Sequence, residues 1–262
     1  MSPTVKSAEI IPDLGSDLVL SRVMLGVVGT PREVAAASSD APLNDAITRC
    51  LEALGQRPSG RFTQDAETVV KAYEAASRER TIQAAGRLLG LEGKRIKFRD
   101  ARVRAEIAAS ANGELIEHPG DRRGLLLHPV MLEALGVLTD VQCYELGWLR
   151  ATHGKYKTTA GDTSVTDRDA EVSAHFFGMG ADFYAVGPSL DRLITYDAGQ
   201  SALDDVLRPL VRTIWDGVAT LPRQWWVVMP PSLNPETPGT RAAVEYFSND
   251  RHRNHLHIGL NN

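Results

Sequence analysis

Cysteine is almost missing from this chain of 262 residues: Cys50 and Cys143 are the only two. They lie far apart, each within an apolar pattern. That excludes a disulfide framework or a cysteine metal knuckle and predicts two buried thiols in different parts of the fold. No apolar run reaches the ~20 residues that a membrane-spanning helix needs, so no membrane insertion is expected. The start, Met1-Ser2-Pro3-Thr4-Val5-Lys6, has no charged stretch leading into an apolar one, so it does not read as a signal peptide. Neither sign of charge dominates, with 29 Lys and Arg against 33 Asp and Glu. A slight negative excess gives no electrostatic footprint for a nucleic-acid partner.

The apolar share is 43%, enough for a buried core. The length suits one large domain or two modest ones. An apolar segment from Leu18 to Val28 opens the readable chain, ends at Gly29-Thr30-Pro31, and suits a short helix or strands. Helical signals follow from Pro42. Ile47, Cys50, Leu51 and Leu54 recur at i, i+3, i+4 and i+7, one face of a helix that Gly55 ends. Thr63 is the expected N-cap of a second helix, with Val69, Val70 and Tyr73 buried.

Lys94, Arg95, Lys97, Arg99, Arg102 and Arg104 form a basic cluster that Asp100 and Glu106 interrupt. It reads as a solvated helix face. Gly113, Pro119 and Gly120 punctuate a polar stretch and set an expected boundary. On this reading 1–120 is a mainly helical domain, and 121–262 is a second domain with a small antiparallel sheet flanked by helices, an α+β fold. In the second part, a helix starts at Pro129 with Met131, Leu132, Leu135 and Leu138 on its apolar face. Val141 to Leu149 reads as a strand. Ser201 opens the clearest helix, and Gln224 to Met229 reads as a strand with one of Trp225 and Trp226 in the core.

Two short stretches carry the chemistry. Ser173-Ala174-His175-Phe176-Phe177-Gly178-Met179-Gly180-Ala181-Asp182 places a His and an Asp on either side of a glycine-containing turn that leads into the apolar run Phe183-Tyr184-Ala185-Val186. Near the other end stands His252-Arg253-Asn254-His255-Leu256-His257. On a strand, residues two apart share a face. His255 and His257 are thus expected to point into the site, and Leu256 and Ile258 into a core. Two His and one Asp are three ligands of the type zinc accepts, with a fourth position left for water. Glu245 and Asp250 are candidate partners that orient an imidazole.

This pairing of HxxGxGxD with HxH resembles the LAS metallopeptidases, named for lysostaphin, D-Ala-D-Ala peptidases and sonic hedgehog. Ser173, Gly178 and Asp182 are in register with the D-Ala-D-Ala peptidase branch, with Gly180 where that branch has Ala. His252, His255 and His257 are spaced more like the penicillin-insensitive murein endopeptidases. The resemblance covers roughly the last half of the chain. It implies Zn2+ held by His175, Asp182 and His257, with His255 and, secondarily, His252 as catalytic groups off the metal. It implies Arg150 and Ser173 as substrate-binding residues, Arg150 holding a carboxylate from the step Trp148-Leu149-Arg150. A general-base Glu near the final motif is not in place; Asn254 stands before His255.

The implied activity is zinc-dependent amide hydrolysis in peptidoglycan stem peptides or cross-links, by an endolysin or a delivered effector. Such a protein is expected to be made in the cytoplasm and to act on the wall after lysis or delivery. The alternative is a non-hydrolytic zinc-binding component of a phage-like or injection particle. Leu51 to Tyr73, with Gly60-Arg61-Phe62, has a fainter likeness to peptidoglycan-binding repeats but reads as an ordinary helical hairpin. Residues 1–120 are candidates for binding wall or particle.

Overall fold

The computed structural model describes residues 23–24, 26–29, 31–117, 123–150, 157–158, 170–171, 174–195, 201–221, 225–229, 239–241, 244–248 and 254–260. Ser173, His252 and Asp250 lie outside these residues. Among the described residues the fold is mixed α and β, with six α-helices and a sheet.

The helices are α1 (Pro31–Ser38), α2 (Ala41–Ala53), α3 (Phe62–Leu91), α4 (Ala101–Ala111), α5 (Pro129–Val141) and α6 (Ser201–Ala219). Asp40 caps α2 by accepting from Leu43 N, and Leu43, Ile47, Cys50 and Leu51 form its buried side. The cap expected at Thr63 is not made. Helix α3 starts two residues earlier, with Arg61 at the N-cap position, and Asp65 instead accepts from Ser59 N at 2.8 Å. This helix runs 30 residues, well past Tyr73. Its second half buries Ser77 and Thr81 among the apolar residues, which hides the helical period from a hydrophobicity reading. Thr81 Oγ1 donates to the Leu127 carbonyl. Helix α5 buries Met131, Leu132, Leu135 and Leu138 as expected. It extends to Val141, so the expected strand from Val141 to Leu149 shrinks to Cys143–Leu146.

The strands are β1 (Ile96–Phe98), β2 (Cys143–Leu146), β3 (Lys157–Thr158), β4 (Ala170–Glu171), β5 (Gly180–Gly187), β6 (Ile194–Thr195), β7 (Trp225–Met229), β8 (Gly239–Arg241), β9 (Val244–Ser248) and β10 (Leu256–Leu260). The main sheet has the order β1-β2-β5-β10-β7-β9-β8, with β6 also on β5; β3 and β4 pair separately. It is mixed, not purely antiparallel: β1 joins β2 and β7 joins β9 in parallel. The boundary expected near residue 120 is crossed by β1 in this sheet. It is also crossed by Arg80 on Glu133, Arg123 on Glu74, and one apolar core that runs from Val23 to Leu260.

Strand alternation sorts the sheet into two faces. Tyr144, Leu146, Phe183, Val186, Trp225, Val227, Leu256 and Ile258 are all fully buried, and Tyr144 Oη donates to Leu135 O of α5 at 2.6 Å. The pairs Glu145↔Ala185 and Leu146↔Phe183 leave Tyr184 unmatched. This bulge lets Phe183 and Val186 both face the core despite being three apart. The other face carries Glu145, Asp182, Tyr184 and His257.

Candidate metal centre

His175 sits in a 3-10 turn, Ala174–Phe177, that folds over this second face. Gly178 follows with φ +67, a conformation that costs an L side chain about 1 kcal/mol or more. It lets Met179 N reach back to Ala174 O at 2.9 Å. Gly180 then opens β5 directly beneath His175. A Cβ there would stand 3.0 Å from His175 N and 3.0 Å from His257 Cε1, so glycine at this place is a matter of space. Asp182 follows on β5, its backbone fixed by Asp182 N to Trp148 O and Gly147 N to Asp182 O. His257 is the register partner of Asp182 on β10.

These choices bring three donors together from positions far apart in the chain. His175 Nε2 lies 3.0 Å from Asp182 Oδ1 and 3.0 Å from His257 Nδ1, and His257 Nδ1 lies 2.9 Å from Asp182 Oδ1. All three residues are buried, at 6%, 2% and 7% exposure. Their ligand atoms lie within 4.8 Å of one another, and the group could hold a metal ion. Two imidazole nitrogens and a carboxylate oxygen aimed at one point suit a cation by donor chemistry.

The electrostatics agree. Burial pulls His175 down, but the Asp182 charge, hydrogen bonds with Asp182 and Leu149 O, and the more distant Glu106 charge together raise its pKa above the usual value. Burial would raise Asp182, yet the His175 charge and hydrogen bonds from both histidines hold it well below the carboxylate range. Burial lowers His257, helped by the charges of His175 and His255 against the pull of Asp182. Without metal, these surroundings favour the protonated form of His175 and the neutral form of His257.

His255 stands beside the group and takes no place in it. Its Nε2 lies 3.7 Å from Asp182 Oδ2, and its Nδ1 lies 2.8 Å from Asn254 Oδ1. Its ring stacks on Tyr184 at 5.2 Å. Tyr184 in turn carries the Arg99 guanidinium 3.7 Å above its centroid. Burial and the Asp182 charge push the Tyr184 pKa up to about 12, against the Arg99 charge. Gly147 makes room for this ring, since a Cβ there would meet Tyr184 Cε2 at 2.1 Å.

Arg150, the expected carboxylate-binding residue, is buried. It is 1% exposed, and its Nη1 donates to the Ile116 carbonyl. At that exposure the guanidinium is buried rather than open to solvent. Glu245 lies on β9, paired in register with Trp226. The basic cluster is spent internally: Lys97 on Glu145, Arg102 on Glu106, Arg104 on Glu92. The two acids that interrupt it have structural roles, Asp100 capping α4 through Arg102 N and Val103 N. Sequence reading missed Arg99, Tyr184 and Glu106 as neighbours of the site. Only Tyr184 had a signal, its even spacing from Asp182.

No family model matches the chain, and no curated protein or solved structure matches it either. Among the described residues, no helix is long and apolar enough to cross a membrane.

Proposed function

We propose that the chain is a zinc-dependent amide hydrolase acting on peptidoglycan stem peptides or cross-links, with His175, Asp182 and His257 holding the metal. The observation that carries this reading is the meeting of two short motifs, from opposite ends of the last half of the chain, in one buried three-donor group with a fourth polar ring beside it. Zinc bound there would supply Lewis acidity toward water and a carbonyl oxygen. Asp182 and His257 arrive on rigid paired strands, which fixes their geometry before any ligand binds.

His255 is the proton-handling group. Asn254 Oδ1 would hold a proton on Nδ1, 2.8 Å away, and leave Nε2, 3.7 Å from Asp182 Oδ2, to face the site. Asn254, standing where a general-base Glu was absent, thus orients His255 as the base. Stacking on Tyr184 fixes the ring plane. His255 then accepts a proton in one half of the reaction and returns it to the leaving amine in the other.

The burial of all three ligand residues favours a second reading, a metal that only supports the fold of a structural or particle component. Digestion of purified peptidoglycan with zinc-loaded and chelated protein, followed by mass analysis of the fragments, separates the two. New peptide ends made only by the zinc-loaded protein are expected. Stoichiometric zinc with intact wall would select the structural reading, and no zinc uptake would remove both.

A further inference from the structure

Glu106 is a buried carboxylate outside the metal-competent group, and its partners lead into that group. It lies on α4 and is 6% exposed. Its Oε1 accepts from Arg102 Nε at 3.1 Å, and its Oε2 accepts from the backbone N–H of Arg150 at 3.3 Å. That N–H belongs to the peptide unit whose carbonyl is Leu149 O. Leu149 O lies 3.4 Å from His175 Nδ1. One planar peptide therefore has its N–H on a buried carboxylate and its C=O on the imidazole. Arg102 Nη2 holds the next carbonyl, Arg150 O, at 2.9 Å, so Glu106 and Arg102 grip Arg150 at both backbone groups.

The orientation of His175 makes this consequential. Its Nε2 faces Asp182 and His257, so Nε2 is the nitrogen a metal would take. Nδ1 must then carry the proton and donate it to Leu149 O. A carboxylate hydrogen-bonded to the N–H end of that peptide polarises it and strengthens the carbonyl as acceptor. Acceptors behind a metal-binding histidine fix its tautomer and ring angle.

We propose that Glu106 is a positioning residue for His175, acting across the Leu149–Arg150 peptide. The proposal rests on the zinc reading above. It makes α4, from the first half of the chain, part of the support of the metal centre.

The test compares full-length wild type with Glu106→Gln, Arg102→Gln and, as control, Glu92→Gln, whose carboxylate pairs with Arg104 on the surface of the same region. Zinc affinity is measured by competition with a chromophoric chelator. The visible spectrum of the cobalt-substituted protein reports ligand geometry, and circular dichroism reports folding. Glu106→Gln is expected to keep one metal per chain, bind zinc about 10–100-fold more weakly and shift the cobalt bands, while Glu92→Gln matches wild type. Should Glu106→Gln fail to fold, the half-exposed Arg102 decides, because Arg102→Gln removes the Nε bond that holds Glu106 Oε1 and frees the next carbonyl, Arg150 O; a several-fold weaker zinc affinity is expected. Folded variants with wild-type zinc affinity and cobalt spectrum would overturn the proposal and leave the zinc reading standing. A wild type that takes up no zinc would bring down both.

Discussion

The two faces of the central sheet are built by the same strands and obey different rules. On β10, His257 faces Asp182, while its neighbour Ile258 faces Ala181 and Val227 on the side of the core. One face is filled by aliphatic and aromatic side chains that matter through volume. The other carries groups that matter through the position of single atoms, with Asp182 Oδ1 within 3.0 Å of two imidazole nitrogens. A residue step of one along the strand thus separates a requirement for shape from a requirement for chemistry. The bulge at Tyr184 is where the sheet reconciles them, keeping Phe183 and Val186 in the core without moving Asp182 off the site.

The strongest way to sharpen that contrast is within His255-Leu256-His257. His257→Ala should abolish tight zinc binding and hydrolysis together. His255→Ala should keep zinc and lose about two or more orders of magnitude in turnover. Metal analysis beside peptidoglycan digestion checks both, and zinc loss on changing His255 alone would reverse the assignment.

A pH series on wild type comes next. Because His175 has a raised pKa in the metal-free protein, metal uptake must displace its proton below that pKa. Zinc affinity should fall by about tenfold per pH unit as pH drops through that range, and His175 should cease to matter above it. Affinity that is flat with pH there would mean His175 is not a ligand.

Arg150→Ala tests which face the arginine serves. Its buried guanidinium bond predicts a loss of about 2 kcal/mol of stability, read by denaturant unfolding. A variant of unchanged stability and specifically weakened substrate use would return Arg150 to the cleft. The smallest effect is expected one residue from the metal ligand: Ile258→Val should cost about 0.5–1.5 kcal/mol and leave zinc affinity untouched. A change in zinc affinity there would show that the faces are not independent.

The site was legible where it depends on local spacing. The approach of His175 to Asp182 follows from a glycine turn, and the shared facing of His255 and His257 from strand alternation, both short-range rules. The order of His255 and His257 around the metal follows from the resemblance and remains for the experiments above. What sequence did not show depends on packing between distant segments. Arg150 sits next to the motif in sequence, but only the fold reveals that Ile116 O takes its guanidinium. Glu106 read as a break in a basic run because nothing local shows an acid bonding a backbone N–H 44 residues away. Of the fold, the apolar faces of α2 and α5 were plain, since their buried residues repeat at helical intervals. Strand β1 was not, because three residues amid Lys and Arg carry no period, and its pairing is set by β2.

The three donors also fix when the centre can exist. Asp182 and His257 are joined across 75 positions of chain, and His175 and His257 across 82. Closing loops of that length is among the slower events of folding. On the proposed reading, a zinc ion would find only His175 and Asp182, 7 residues apart, close together in the early chain, and would lack its third donor until the sheet forms. It would then bind fully only to a sheet already closed and would act as a lock on the finished state: refolding should proceed at the same rate with or without zinc, while unfolding slows.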